Sequence, residues 1–291
     1  MLPHHAGRAR TTGLRGRAIG ATLSAMLPRL HLVEFNDLAA TPAALRDVIV
    51  ESLSRSLRWG RMLRGLVEPF RGFLTAAGTD EVLDLCAGAG GPASTLATEL
   101  GARGAAPRFL LTDLFPRPAA WTAVRAEHPG VIDFVEDPVD ATAIPRSLSE
   151  GRARVVINAF HHFSPSLARA ILADAVAGSR GIFISEALVR NPLSFLAFGP
   201  AGLAALYAEP LLATKDRLAK ALLVWATPIA LLAGTWDGLV STMRIYEESD
   251  LRQMVAPLGD RFRWTYGTYR YPFGGRGYYF HGVPRSPAVV E

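Results

Sequence analysis

The chain has 291 residues, 49% of them hydrophobic, and a formal net charge of +5. That excess is confined to Arg8, Arg10, Arg15, Arg17 and Arg29, which share the first 30 residues with no Asp or Glu, so the remaining body balances 26 basic against 26 acidic residues. A neutral body with no basic stripe between aromatics excludes nucleic acid as a partner, and a single cysteine excludes an internal disulfide and fits a cytoplasmic, reducing compartment.

Residues 1–30 read as a basic tail rich in Gly, Ala and Thr, with no assigned function. Residues 31–80 read as a helical cap. Pro42 is placed to start a helix, and Leu45, Val48, Ile49, Leu53 and Leu57 follow the helical period. A second helix is expected over 61–75, before Gly78 and Asp80 break the chain. Residues 81–190 alternate apolar strands (around 82–85, 109–113, 131–135, 155–160 and 182–185) with helices over 94–100, 119–127 and 166–177. Continuous apolar strands separated by helices predict a parallel sheet covered on both faces, with ligands beyond the carboxyl ends of its strands.

The alternation stops over 191–245, an apolar helical insertion in which 221–236 carries no charge. Residues 246–291 resume with a helix over 246–255 and two strands, 262–266 and 278–282. A Gly-rich connection over 272–277 joins them as an antiparallel hairpin at the sheet edge.

The stretch 81–92, Glu-Val-Leu-Asp-Leu-Cys-Ala-Gly-Ala-Gly-Gly-Pro, holds the strongest chemical signal. An apolar strand runs into a turn of small residues, against which a nucleotide-like ligand can press. Asp84, Asp113 and Asp140 stand at or just after three successive strand ends. In dinucleotide folds, a carboxylate at the second of these positions takes the ribose hydroxyls. Each Asp alone reads equally as a turn or helix cap; all three together favour a ligand. Cys86 reads as a small residue that fits the turn rather than as a nucleophile, and no metal-ligand set is apparent.

This arrangement resembles the class I S-adenosylmethionine-dependent methyltransferases. The resemblance rests on Val82-Leu83-Asp84-Leu85-Cys86-Ala87-Gly88-Ala89-Gly90, on Leu111-Thr112-Asp113-Leu114, on Val139-Asp140-Ala141 and on Asn158-Ala159-Phe160-His161-His162-Phe163. It implies an α/β Rossmann-like fold with a seven-stranded, mostly parallel sheet whose last strand is antiparallel, an N-terminal helical cap, and the apolar insertion between strands five and six. It also implies S-adenosylmethionine as cofactor, held by Asp84, Cys86, Ala87, Gly88, Gly90, Asp113, Leu114, Asp140, Ala141 and Asn158. Cys86 departs from the commonest pattern, which has Gly. The rival is an NAD(P)-binding Rossmann oxidoreductase, since Gly88-Ala89-Gly90-Gly91-Pro92-Ala93 satisfies the loose G-x-G-x-x-A form. Against it, Asp84 would set negative charge near a pyrophosphate, and Pro92 removes a donor from the helix start that should receive it.

For methyl transfer, alignment of the acceptor is the main requirement and a base assists. His161 and His162 follow the fourth strand as candidate bases. Their adjacency predicts that one of them at most faces the site. Glu186 is a second base candidate, with a structural pairing to Arg190 or a helix end as the alternative. The expected acceptor is a small apolar or lipid-like molecule, methylated at oxygen. The stretch 192–236 is read as a substrate cap, a peripheral membrane contact or a membrane hairpin, and its exposed parts as a possible dimer surface. A non-catalytic, membrane-associated protein keeping the fold is the reading from a different class.

Overall fold

The computed structural model describes residues 28–104 and 106–285; most of the basic tail, 1–27, lies outside them. Arg29, assigned to that tail by composition, belongs to the folded body. Its guanidinium donates to the carbonyls of His161 and Phe163, both at 3.0 Å, and lies 4.0 Å from the Tyr246 ring centroid.

Residues 28–41 form no continuous helix; they run as a strap that is extended over 28–34 and then makes two short turns, Phe35–Asp37 and one closed by the Thr41 N–H to the Leu38 carbonyl. Pro42, with its φ held near −53°, leads into α1 (Ala43–Trp59). Leu45, Val48, Ile49 and Leu57 are buried as the periodicity requires, whereas Leu53 is exposed. The expected second helix starts later, as α2 (Val67–Ala77), because Arg61 takes a positive φ and a tight turn, Arg64–Leu66, intervenes. Gly78 ends α2 in the left-handed conformation that only Gly adopts freely.

The alternating region contains β1 (Glu81–Leu85), α3 (Gly91–Gly101), β2 (Arg108–Thr112), α4 (Pro118–Glu127), β3 (Ile132–Phe134), β4 (Ala153–Ile157), α5 (Pro165–Gly178) and β5 (Ile182–Glu186). The insertion follows as a tight turn, Pro192–Phe198, then α6 (Gly199–Leu212), α7 (Arg217–Ala221) running into a wide turn, Leu222–Ala226, and α8 (Ile229–Arg244). The chain closes with α9 (Glu248–Val255), β6 (Phe262–Tyr271) and β7 (Gly275–Pro284). The seven strands lie in the order β3-β2-β1-β4-β5-β7-β6. The first five pair in parallel, and β7 runs antiparallel to both β5 and β6. This is the sheet implied by the methyltransferase resemblance. A nicotinamide-binding sheet has the order 3-2-1-4-5-6 and no antiparallel strand slipped in before the last.

The hairpin corrects the sequence reading. Its connection is only Pro272–Gly274, and Gly275 and Gly277 are strand residues. In the β6–β7 register, Tyr269 faces Gly277, Tyr271 faces Gly275, Gly267 faces Tyr279 and Trp264 faces Gly282. A Cβ on any of these glycines would overlap the aromatic side chain of its partner. The glycines leave the space into which the rings fold across the ladder, the same pairing that rescues glycine in designed sheets.

The insertion packs Leu206, Val224, Ala230 and Ala233 onto Leu45, Val48 and Ile49 of α1. Lys215, Asp216 and Arg217 are exposed, but two further charges are buried while several leucines are not. Glu209 and Lys220 are 0% exposed, while Leu218 is 76%, Leu196 71% and Leu211 66% exposed. Lys220 Nζ lies 2.8 Å from Glu209 and 3.3 Å from Glu51, and Arg55 of α1 pairs with both carboxylates. The segment Pro192–Leu212 has the length and mean hydropathy (1.4) of a membrane span, with one third of it buried in the protein. The pair Arg217–Ala226 and Ile229–Arg244 bends by 80°.

Candidate active site

The turn after β1 is built for close approach. Cys86, Gly88 and Gly90 all have φ between 54° and 80°. At Cys86 this gives a physical reason for the Gly common in the resembling family: a side chain there sits in a left-handed conformation that non-Gly residues adopt at a cost. Burial and the carboxylates of Asp113, Asp84 and Asp140 push the Cys86 thiol well up, so it stays protonated and is no nucleophile. A Cβ added at Gly88 would meet nothing within 4 Å, so the chain leaves open space there. The Gly88 carbonyl accepts from the Trp121 indole at 2.8 Å, and its N–H donates to Asp113 at 3.0 Å. Ala87 is buried and donates its N–H to the Thr112 carbonyl, which locks the turn to β2.

Two polar atoms in this region are buried and unspent. Asp84 is 2% exposed, and its Oδ2 has no partner. Burial and the nearby charge of Asp113 hold its carboxyl well above the usual range. Asn158, at the end of β4 with φ +55°, accepts from the Ala187 N–H at 2.7 Å through Oδ1, while its Nδ2 has no partner. Asp113 spans the turn by accepting also from the Phe115 N–H at 2.9 Å, beside the exposed Leu114. Asp140 is exposed, and its Oδ1 is taken by Thr142 N–H and Oγ1 at 2.8 and 2.7 Å, which lowers its pKa. Asp140 thus caps its own turn, next to the buried Ala141.

The candidate bases lie on a tight turn, Phe160–His162. Its curvature brings the two rings within 4.2 Å between centroids at a 36° tilt, so they do not diverge as adjacency suggested. Glu186 clamps His161 twice, accepting from its backbone N–H at 3.0 Å and pairing with Nδ1 at 2.9 Å. Glu186 thus holds the start of the Phe160–His162 turn, one of the structural roles expected of it, while Arg190 binds the Ile245 carbonyl and Asp250. His162 Nδ1 pairs with Asp37 at 3.0 Å. Both Nε2 atoms turn toward one carboxylate, Glu34, at 4.0 Å from His161 and 3.8 Å from His162.

Glu34, Asp37, Asp237 and Arg244 are the residues that sequence reasoning missed. Arg244 bridges Glu34 at 3.1 Å and Asp37 at 2.6 Å. Asp237 holds the strap by accepting from the N–H groups of Phe35 and Asn36 at 2.7 and 3.1 Å. The one signal available was Asp237 itself, a lone charge directly after the uncharged run 221–236. Burial drives the Glu34 carboxyl up, His162 and Arg244 opposing it.

No protein-family model matches the sequence, and no curated protein matches it. Among solved structures, the chain is similar to magnesium protoporphyrin IX methyltransferase from Synechocystis PCC 6803 with bound SAH, at 14% identity over 79% of this chain and 85% of that one, TM-score 0.45. It is similar to the methyltransferase domain of bacterial CtHen1, at 10% identity over 76% and 99%, TM-score 0.47. An O-methyltransferase family protein from Burkholderia thailandensis is similar at 14% identity over 78% and 57%, TM-score 0.45. Likeness this distant speaks to shape alone, and the fold stands on the strand order and pairing described above.

Proposed function

We propose that the protein is an S-adenosylmethionine-dependent methyltransferase acting at oxygen on an apolar or lipid-like small molecule. The observation that carries this reading is the pair of unspent buried atoms at the carboxyl edge of the sheet. Asp84 Oδ2 is an acceptor suited to an ammonium, and Asn158 Nδ2 is a donor suited to a carboxylate. Together they match an amino-acid tail, and the open space over Gly88 admits a nucleoside against the backbone. When bound, the cofactor supplies an electrophilic methyl group on a sulfonium, which leaves as a neutral thioether.

The protein's own residues then have defined tasks. Asp113 lies at the end of β2, where its carboxylate can exchange the Gly88 and Phe115 N–H groups for ribose hydroxyls. The His161–His162–Glu34 cluster follows β4, where the acceptor's proton has to be taken up as its oxygen bonds to the methyl carbon. Glu186 fixes the His161 ring with Nε2 pointing away from it.

Titration of the purified chain with S-adenosylhomocysteine is expected to show binding that weakens at least tenfold in Asp113→Ala, with none to NAD. Absence of S-adenosylhomocysteine binding by the folded protein would overturn the reading, and NAD binding would restore the oxidoreductase.

The apolar acceptor and the peripheral membrane contact are supported by the insertion, which buries Glu209 and Lys220 while Leu196, Leu211, Leu218 and Leu222 are exposed. Trp225 and Trp236 are exposed while their indole N–H groups are satisfied by the carbonyls of Tyr207 and Val33, a combination suited to a membrane interface. Beside the start of the insertion, where Phe198 meets the Tyr271 ring, a 410 Å³ cavity is lined by Arg61, Arg64 and Arg270. These three make no ion pair among the described residues. Co-sedimentation with vesicles containing anionic phospholipid is therefore expected, and a Leu218→Ser, Leu222→Ser variant should lose most of it while its stability changes by less than about 1 kcal/mol. Equal sedimentation of variant and wild type would remove the membrane contact from the proposal.

A further inference from the structure

The cluster over β4 has more structure than proton uptake requires. We infer that Glu34, His161 and His162 form a binding site for a first-row divalent cation of the zinc or manganese kind, with open positions for the acceptor oxygen. The methyl-transfer role of the ion rests on the function proposed above; the binding of the ion does not.

Three observations converge. One donor atom from each of the three residues lies within 4.8 Å of the other two. A nitrogen or oxygen ligand sits about 2.0–2.2 Å from zinc, so two ligands of one tetrahedral ion stand about 3.3 Å apart by geometry. The 3.8 Å from His162 Nε2 to Glu34 Oε2 is therefore within roughly 0.5 Å of that spacing, while the 4.0 Å from His161 Nε2 runs to Oε1 of the same carboxylate, so a shared ion requires the carboxylate and the His161 ring to close on it.

The second observation is the outer shell. Each histidine presents Nδ1 to its own carboxylate, His161 to Glu186 at 2.9 Å and His162 to Asp37 at 3.0 Å. A carboxylate behind each ring fixes the tautomer with the proton on Nδ1 and the lone pair on Nε2, which is how metal-bound histidines are held. A histidine serving only as a structural link would use both nitrogens. Yet His161 Nε2 is unpartnered in a residue only 5% exposed, and it points at Glu34.

The third is charge. Glu34, Asp37, Glu186 and Asp237 surround the two rings, and Arg244 is the one cation paired with any of these carboxylates among the described residues. Arg244 and Ser241 both bind Glu34 Oε1, at 3.1 Å each, so Oε2 remains for an ion. Arg244 also lies 3.3 Å from His162 Nδ1, held there by the other oxygen of the same Asp37. Two imidazoles and one carboxylate form a donor set for zinc, manganese or iron(II) rather than for calcium or magnesium. An ion there would bind the acceptor hydroxyl and lower its pKa, so that its proton would pass to solvent in place of a free imidazole base.

The test is calorimetric titration of the full, chelator-treated chain with ZnCl₂, together with X-ray absorption at the zinc edge. One equivalent should bind, the edge should report two imidazole ligands, and Asp37→Asn should weaken binding about 10–100-fold as an outer-shell change. Unchanged zinc affinity in both His161→Ala and His162→Ala would overturn the site, as would a wild-type zinc spectrum without imidazole scattering. S-adenosylhomocysteine titration of the same samples separates the two ideas. Zinc binding without cofactor binding keeps the metal site and removes methyl transfer, and cofactor binding without zinc does the reverse.

Discussion

Glu209→Gln is expected to destabilise the protein by about 3–5 kcal/mol, the largest stability effect among its polar residues. Glu209 and Lys220 are both fully buried, and the cluster they form with Glu51 and Arg55 is balanced, two charges of each sign. Removing one anion leaves a buried cation without compensation, and the low-dielectric surroundings make that costly. The ion pair itself is not the source of the protein's stability. A Glu209→Met, Lys220→Met double variant removes both buried charges and leaves Arg55 to Glu51, so it should equal or exceed wild type in urea denaturation. If the single variant were as stable as wild type, the cluster would have to be open to water. Since these residues link α1 to α6 and α7, unfolding of the single variant should begin with release of the insertion.

Asp84→Asn should have opposite effects on stability and on binding. The carboxyl of Asp84 is raised by burial and by Asp113, so the folded protein holds that proton more tightly than the unfolded chain. The stabilisation this gives is complete below the unfolded value, near pH 4. It is lost progressively as pH rises toward the elevated native value. Asn keeps the shape and cannot ionise. The variant without cofactor should therefore melt at a higher temperature than wild type at pH 8, with the gap narrowing toward pH 4. Its affinity for S-adenosylhomocysteine should fall about 10–150-fold, the worth of one hydrogen bond to a charged group. Thermal melts at both pH values and one titration suffice. A variant that bound the ligand as tightly as wild type would show that Asp84 does not meet the amino-acid tail.

Much of the sheet was legible because buried parallel strands announce themselves as continuous apolar runs, as at 82–85 and 182–185. The turn after β1 was legible because small residues there have few other uses. The strap was not. Glu34 and Asp37 are held at the site by Asp237, Ser241 and Arg244, some 200 residues away in sequence, and no local pattern encodes such a contact. The histidine pair was misread for a related reason: adjacency predicts diverging rings in an extended chain, but the tight turn Phe160–His162 brings them together, tilted by 36°. The glycines of the final hairpin misled because Gly is strong punctuation in sequence, while here Gly275 and Gly277 are vacancies filled by tyrosines from the neighbouring strand.

Those vacancies act at a distance. Tyr269, folded over Gly277, sets its hydroxyl 3.4 Å from Ser185 Oγ, and Tyr271, folded over Gly275, donates to the Ala187 carbonyl at 2.5 Å. Ser185 and Ala187 flank Glu186, the residue that clamps His161. The two tyrosines therefore work as a gauge block under the end of β5, holding the clamp at a set height against the imidazole. Drift at this site should be traced first to whether two peptide units of β7, the strand next to β5, have kept their bare α-carbons.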